Sequence, residues 1–576
     1  MIEPTYKTLN SLFAERVFRI PRYQRFYDWG PKQREDLFSD IAQLADRSSD
    51  EHHFMATIVC YRTPEVKAVG ANEYQLYDVV DGQQRLTTLI ILLKAIAINL
   101  PEDKAEDRKE LEGTLVKRDG NLILLQTNNA NEHIFNTFIR RGELPADAEL
   151  NINADKKLAA AFQECHDFVS EWISSGRDLL ALLRIVRHRL GFVVYDTEDA
   201  RAVYTLFEVL NSRGLSVDWL DKCKSMLMGR AYETSLSKEA ASANLDRLQD
   251  LWANVYKELA TVRVNGATVV RVAATLHEGP KRGKPQQSEA AIDALRRRCT
   301  GPETACDITK ELRAVTNKLA QIDRDKSLGP ATRVLHARIL GVALMQTDSL
   351  SDHERANALE QWQRVTFRIF GLYGKDARNK VGEYLRIATG VLNSREGLKR
   401  YSDIMSALRE LGREFPVIEA VNYGLWRRDL YAFDDEMCRY ILWRYEEYLA
   451  GRIKGTVDEN ARAAIWQRRA TDSIEHIYPQ NPEPGGPWEG ALVDESGSPL
   501  PKENIGRIGN LILLPQQLNE SAKRSGFQKK KDVYARHHLR MIDEIREFDR
   551  WTINEIEERE KRLLEWAKTE WADVTT

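Results

Sequence analysis

Two short segments near the end of the chain carry groups that could do chemistry together. Glu475-His476-Ile477-Tyr478-Pro479 supplies a carboxylate and an imidazole ahead of a proline-broken turn. Gly509-Asn510 opens an apolar run that leads to Asn519, nine residues on. Brought together, such groups suit metal-assisted hydrolysis of a phosphodiester. A histidine takes a proton from water, an amide orients it, and two oxygen ligands hold a hard divalent cation beside the phosphate. The first expectation is therefore a nuclease.

A basic run follows directly. Lys523, Arg524, Lys529, Lys530 and Lys531 place five cations just after Asn519. Between Lys502 and Arg540 nine Lys or Arg stand against Glu503, Glu520 and Asp532, whereas the whole 576-residue chain has a net charge of -3. Nucleic-acid affinity must therefore be local. A solvated helix face is the ordinary reading of such a run. Its position favours phosphate contact, which confers affinity without sequence choice.

A second constellation lies in the first hundred residues. It comprises Ile20-Pro-Arg-Tyr-Gln24-Arg25-Phe-Tyr-Asp-Trp29 and Val79-Val80-Asp81-Gly82-Gln83-Gln84-Arg85. The second piece is the turn of a strand–turn–helix unit. Residues 74–80 are rich in β-branched and aromatic types, and the chain from Leu86 is apolar on nearly every face, as a buried helix is. A glycine turn opening a helix offers free backbone N–H groups, and Arg25 and Arg85 add cationic forks that suit phosphates.

These residues resemble known families. The C-terminal pattern is similar to the HNH group of His-Me finger nucleases, in which two short strands and a helix clasp one metal ion. The resemblance implies His476 as general base and Asn510 as the residue whose hydrogen bond fixes the imidazole. It makes Glu475 and Asn519 ligands of Mg²⁺ or Mn²⁺, although many relatives carry aspartate where Glu475 stands. The N-terminal pattern resembles the ParB/sulfiredoxin-like domain of GmrSD-type, modification-dependent (type IV) restriction enzymes, as do Asn211-Ser-Arg213-Gly214-Leu215 and Asp218-x-Leu220-x-Lys222. It implies a domain that binds and hydrolyses a nucleoside triphosphate (ATP, GTP or another), with Gln24, Arg25, Asp81, Gln83, Gln84 and Arg85 lining the site and Asn211 and Arg213 as weaker candidates. It also implies a coupled nuclease that cuts modified foreign double-stranded DNA, such as that of a phage. The resemblance covers roughly residues 8–230 and 440–540.

The elements that must position these groups read as a predominantly helical, multidomain α+β protein. A ParB/sulfiredoxin-like α+β domain is expected over 1–230, a helical middle over 231–437, and a ββα-metal HNH domain over 438–576. Strands are expected at 54–61, 74–80, 122–125 and 191–195, and helices at about 155–189, through Phe207 and Leu210, from Val217, and at 552–571. Six scattered cysteines without a Cys-x-x-Cys pair argue against a disulfide framework or structural zinc and favour the cytoplasm. The apolar run from Leu86 to Leu100 is too short to span a bilayer.

Two tempting signals are declined. Gly279-Pro-Lys-Arg-Gly283-Lys284 lacks the length and the Ser or Thr of a phosphate-binding loop. His537 and His538 are adjacent on a helix and face different directions. Trp362 and the run Trp443 to Tyr448 read as helix packing. Two other functions stay open: a nucleotide-gated DNA-binding regulator with an inactive nuclease domain, and a toxin-like nuclease acting on RNA or host DNA. The sequence leaves open the modification recognised and the oligomeric state, a homo-oligomer included.

Overall fold

The computed structural model describes residues 4–575 apart from 15, 49–50, 118–121, 128–130, 200–217 (203 and 206 excepted), 236, 393–397, 399, 427, 453–458, 467–469 and 494–495. Asn211, Arg213, Phe207 and Leu210 lie outside the described residues. The chain divides into two compact units, Met1–Glu278 with Gln286–Ala320, and Gly279–Pro285 with Gln321–Thr576. The helical residues expected as a separate middle, 231–437, are thus shared between the two.

The first unit is built on one mixed sheet. Its strands are β1 (Thr5–Thr8), β2 (Arg16–Ile20), β3 (His53–Val69), β4 (Asn72–Asp81), β5 (Leu125–Thr127) and β6 (Leu190–Thr197), in the spatial order β1-β6-β3-β4-β2-β5. β3 and β4 form an antiparallel hairpin turned at Gly70 (φ 64°), while β2 lies parallel to both β4 and β5. β3 runs well past the expected end at Tyr61. Pro64 cannot donate to the ladder, and the register slips between Arg62 and Val66 around it.

Helix α1 (Gln83–Asn99) leaves β4 through Gly82 (φ 88°), where a Cβ would lie 3.0 Å from Ile58 Cγ1. That conformation and that approach require glycine. Leu86, Leu89, Ile90, Leu93 and Ile96 are buried in the principal core with Leu158, Phe162 and Val169 of α2 (Asn153–Ser174). Helices α3 (Trp219–Glu233), capped by Asp218, and α4 (Lys238–Leu259) bring Lys224 and Asp250 to the Arg22–Gln24 segment.

Among its described residues the second unit is largely helical and carries one two-stranded sheet. Strand β7 (Ile474–His476) pairs antiparallel with β8 (Leu511–Leu513), and the chain then enters α5 (Gln516–Ala522) and α6 (Phe527–Tyr534). The closing helix α7 (Ile553–Glu570) starts at a Thr552/Glu555 capping box. Trp362 and Trp443 are fully buried, as packing residues should be. Among the described residues no helix is long and apolar enough to cross a membrane.

Candidate active site

Strands of three residues have few ladder bonds, so side chains must hold the β7–β8 pair in place. Asn510 is fully buried and ties the two approaches together. Its Oδ1 accepts from Tyr478 N (2.8 Å) and Trp551 Nε1 (2.9 Å), and its Nδ2 donates to Tyr478 O (3.0 Å) and Ile505 O (2.8 Å). The turn that carries it is clamped by α7. Arg559 Nη1 donates to Ile508 O, Gly509 O and Leu511 O at 3.2, 2.8 and 2.7 Å. At Gly509 a Cβ would stand 2.1 Å from Ile556 O, so no side chain fits.

This corrects one expectation. Asn510 makes no bond to the imidazole, because both lone pairs and both N–H groups of its carboxamide are already used. It directs the backbone leaving His476 instead of the ring.

The His476 ring is 7% exposed and meets Tyr431 edge-on, with centroids 4.5 Å apart at 80°. Its Nε2 is buried without a hydrogen-bond partner. Burial, with the nearby Lys530 ammonium, pulls the imidazole down to about 3, so the ring is neutral at physiological pH.

Glu475 is held from α6. Its Oε1 accepts from Lys530 Nζ (2.6 Å) and Tyr534 Oη (2.8 Å), and Lys530 also donates to His476 O (2.7 Å). Lys530 and Tyr534 share a helix face by their i, i+4 spacing. Burial pushes the Glu475 carboxyl and the Tyr534 phenol up and the Lys530 ammonium down, and the Glu475–Lys530 attraction opposes this in both partners. Asn519 on α5 donates Nδ2 to Ile474 O (3.2 Å), which leaves its carbonyl oxygen as the group for a ligand.

Glu475, His476 and Asn519 border a cavity of about 860 Å³ with Lys523, Arg524 and Lys529 on its rim. Lys523 follows α5 at φ 36°, a positive φ uncommon for a lysine. Trp488 Nε1 donates to Arg524 O (3.3 Å) and Ser525 O (3.0 Å), which pins the rim. The five cations expected on DNA therefore separate. Lys530 is fully buried on Glu475, and Lys531 donates to Phe548 O (2.7 Å), so neither reaches this cavity.

In the first unit the three expected glutamines are hydrogen-bonded to backbone groups of the Arg25–Asp28 segment and of Val80. Gln24 Nε2 donates to Val80 O (2.9 Å), Gln83 Nε2 to Arg25 O (3.4 Å) and Gln84 Nε2 to Phe26 O (3.1 Å), while Gln84 Oε1 accepts from Asp28 N (2.8 Å). These bonds strap the Tyr23–Asp28 segment to the β4–α1 turn. Gln83 Oε1 stays buried without a partner. Asp81 accepts from Gly82 N (2.8 Å), and burial raises its carboxyl. Arg85 lies 5.8 Å over the Trp29 ring. Of these six residues, Arg25 alone borders a cavity of about 350 Å³, which Lys157, Asp28, Asp218 and Arg263 also line.

Beside it sits a buried charge cluster. Asp221 accepts from Tyr256 Oη (2.5 Å) and forms an ion pair with Arg25, whose Nε lies 3.2 Å from its Oδ2, while Lys224 Nζ donates to Gln24 Oε1 (2.7 Å). Against its burial, Lys224 and Arg25 hold Asp221 below the usual carboxylate range, whereas burial and Asp221 push Asp218 up to about 6.

Two family models match the chain. The GmrSD restriction endonuclease N-terminal domain matches residues 8–228, and the GmrSD restriction endonuclease C-terminal domain matches residues 416–566. The chain belongs to this family. As a GmrSD restriction endonuclease it has DNA as its substrate. No curated protein matches it.

The two GmrSD matches contain every candidate residue above except Tyr256 and Arg263. Sequence reasoning missed Asp221, Lys224 and Tyr256. A signal existed for the first two: an i, i+3 charge pair on a helix otherwise rich in Leu, Met and Cys. Tyr256 had none, because only folding brings α4 to it.

The C-terminal residues fit a hard cation sparsely. Glu475 has both its hydrogen bonds on Oε1, leaving Oε2 and the Asn519 carbonyl as oxygen donors. No group of three His, Cys, Asp or Glu able to hold a metal occurs among the described residues. That donor set suits an ion that keeps most of its waters, as Mg²⁺ does, over zinc.

Proposed function

We propose that the chain is a metal- and nucleotide-dependent DNA endonuclease of the type IV class, cutting modified foreign DNA in defence of the cytoplasm against phages. The observation that carries this reading is the unpartnered Nε2 of a neutral His476 at the edge of a cavity rimmed by Lys523, Arg524 and Lys529. The antiparallel β7–β8 pair followed by α5 supports an HNH-type arrangement.

In the cutting step the DNA backbone would lie along the basic rim. His476 would take one proton from water, and the water oxygen would bond to phosphorus as the P–O3′ bond breaks. The 3′-oxygen then takes a proton from solvent, which leaves 5′-phosphate and 3′-hydroxyl ends. Glu475 and Asn519 would hold Mg²⁺ or Mn²⁺, which supplies positive charge beside the phosphate. Lys530 and Tyr534 keep Glu475 in one rotamer for that purpose. Asn510 acts indirectly, by fixing the backbone at Tyr478.

In the first unit, Arg25, Lys157 and Arg263 around the 350 Å³ cavity support a nucleoside triphosphate site. The volume lies within the range of small-molecule pockets.

The test is a His476→Ala variant assayed beside the parent with modified and unmodified phage DNA, Mg²⁺ and each nucleoside triphosphate. Cutting should vanish while nucleotide hydrolysis continues. Cleavage undiminished in the variant would remove the assignment.

A further inference from the structure

Within the second unit, a short helix carries Leu430–Phe433 beside the cavity. Tyr431 faces inward to the His476 ring. Residues two apart on a helix point to different sides, and Phe433 stands 51% exposed on the outer wall. The Arg428 guanidinium carbon lies over this ring, 3.6 Å from its centroid, and 5.8 Å from the centroid of the Tyr423 ring. Tyr423 is itself 61% exposed and stacks on Tyr373 with centroids 5.4 Å apart at 19°. The result is a ladder of planar groups, Tyr373–Tyr423–Arg428–Phe433, with two open rings. Among the described residues no carboxylate pairs with Arg428.

We propose that this ladder is a stacking platform for an unpaired nucleobase of the DNA strand leaving the cleft, with Arg428 presented to its phosphate. The inference rests on the endonuclease reading and extends it to how the substrate strand is held. Three features select this occupant. Exposed rings offer π-faces to bases of any identity. An unneutralised guanidinium between them suits an anionic backbone and would be costly under an apolar protein surface. The helix that carries Phe433 also carries Tyr431, which borders the cavity that holds His476. A second protein copy is a poor fit, because a few exposed side chains fall far below the roughly 800 Å² per partner of a stable interface.

The platform binds without reading sequence, so its contribution is to hold a strand end splayed away from its complement. Bases already unpaired or loosely stacked would engage it most readily.

The experiment uses the full chain carrying His476→Ala, so that DNA stays intact. Oligonucleotides carry 2-aminopurine, whose emission is quenched on stacking, at successive positions in a single-stranded tail joined to a duplex. Quenching should appear at one tail position. It should disappear in Phe433→Ala and Tyr423→Ala backgrounds, with affinity for the tailed DNA falling about tenfold for each ring. Phe433→Trp should restore both signals, which separates lost stacking from lost folding. Unchanged quenching and affinity in both alanine variants would overturn the proposal, as would a change from dimer to monomer on mutation. Failure of the parent to bind any DNA would instead defeat the endonuclease reading itself.

Discussion

Lys530 Nζ lies 2.6 Å from Glu475 Oε1 with both side chains buried, so a lysine that looks like part of a DNA-binding run is an internal counter-ion of the candidate site. A second donor, Tyr534 Oη, meets the same oxygen. The carboxylate is thereby oriented before any ligand arrives.

That pairing predicts a coupled stability effect. Lys530→Met leaves a buried carboxylate without its partner and should cost about 3–5 kcal/mol. Adding Glu475→Gln should restore a large part of this, measured by urea unfolding of all four members of the cycle. Strictly additive costs would mean that the two groups do not act as a pair.

Asn510→Asp should separate positioning from binding. The substitution turns the two N–H groups facing Tyr478 O and Ile505 O into a buried oxygen facing carbonyls. A loss of about 3 kcal/mol or more is expected, with cutting impaired and divalent-free DNA binding retained. Thermal unfolding and filter binding report the two quantities, and wild-type cutting by a correctly folded variant would contradict the positioning role.

The rim cations should appear in the salt dependence of DNA binding. Lys523→Ala, Arg524→Ala and Lys529→Ala should each lower the slope of log K against log salt by about one. Lys531→Ala, whose ammonium is occupied by Phe548 O, should leave the slope as it is. Equal slopes for all four variants would show that the phosphates pass elsewhere.

Acid should destabilise the second unit partly through His336, which is 2% exposed and packed edge-on to Tyr384 and Phe370. Burial lowers this imidazole from 6.5 to about 4. Between those values the unfolded chain binds the extra proton, so stability is full above pH 6.5 and falls as pH drops toward 4, by at most about 3 kcal/mol. Between pH 7 and 4.5 the unfolding midpoint of the parent should therefore fall further than that of His336→Phe. A constant gap between them would exclude the imidazole as the cause.

Much of the architecture was legible because local rules and tertiary demands agree. The β4–Gly82–α1 unit follows from a β-branched run, a glycine that must take φ 88°, and a helix apolar all round. The closing helix follows from its Thr552/Glu555 box. The extent of β3 was not legible, since the charged residues 62–69 pair with β4 as an exposed part of the hairpin that apolar alternation cannot reveal.

Alone, the residue order determined which groups are available: one imidazole beside one carboxylate, two downstream carboxamides, and a dense set of cations. Tertiary structure decided what each can reach. Lys529, Lys530 and Lys531 are alike in sequence, yet successive helix positions point about 100° apart. One therefore borders the cavity, one is buried on Glu475 and one binds the Phe548 carbonyl. In the same way Asn510 is bound to backbone and indole groups, and not to the imidazole, by chain segments more than thirty residues away in sequence.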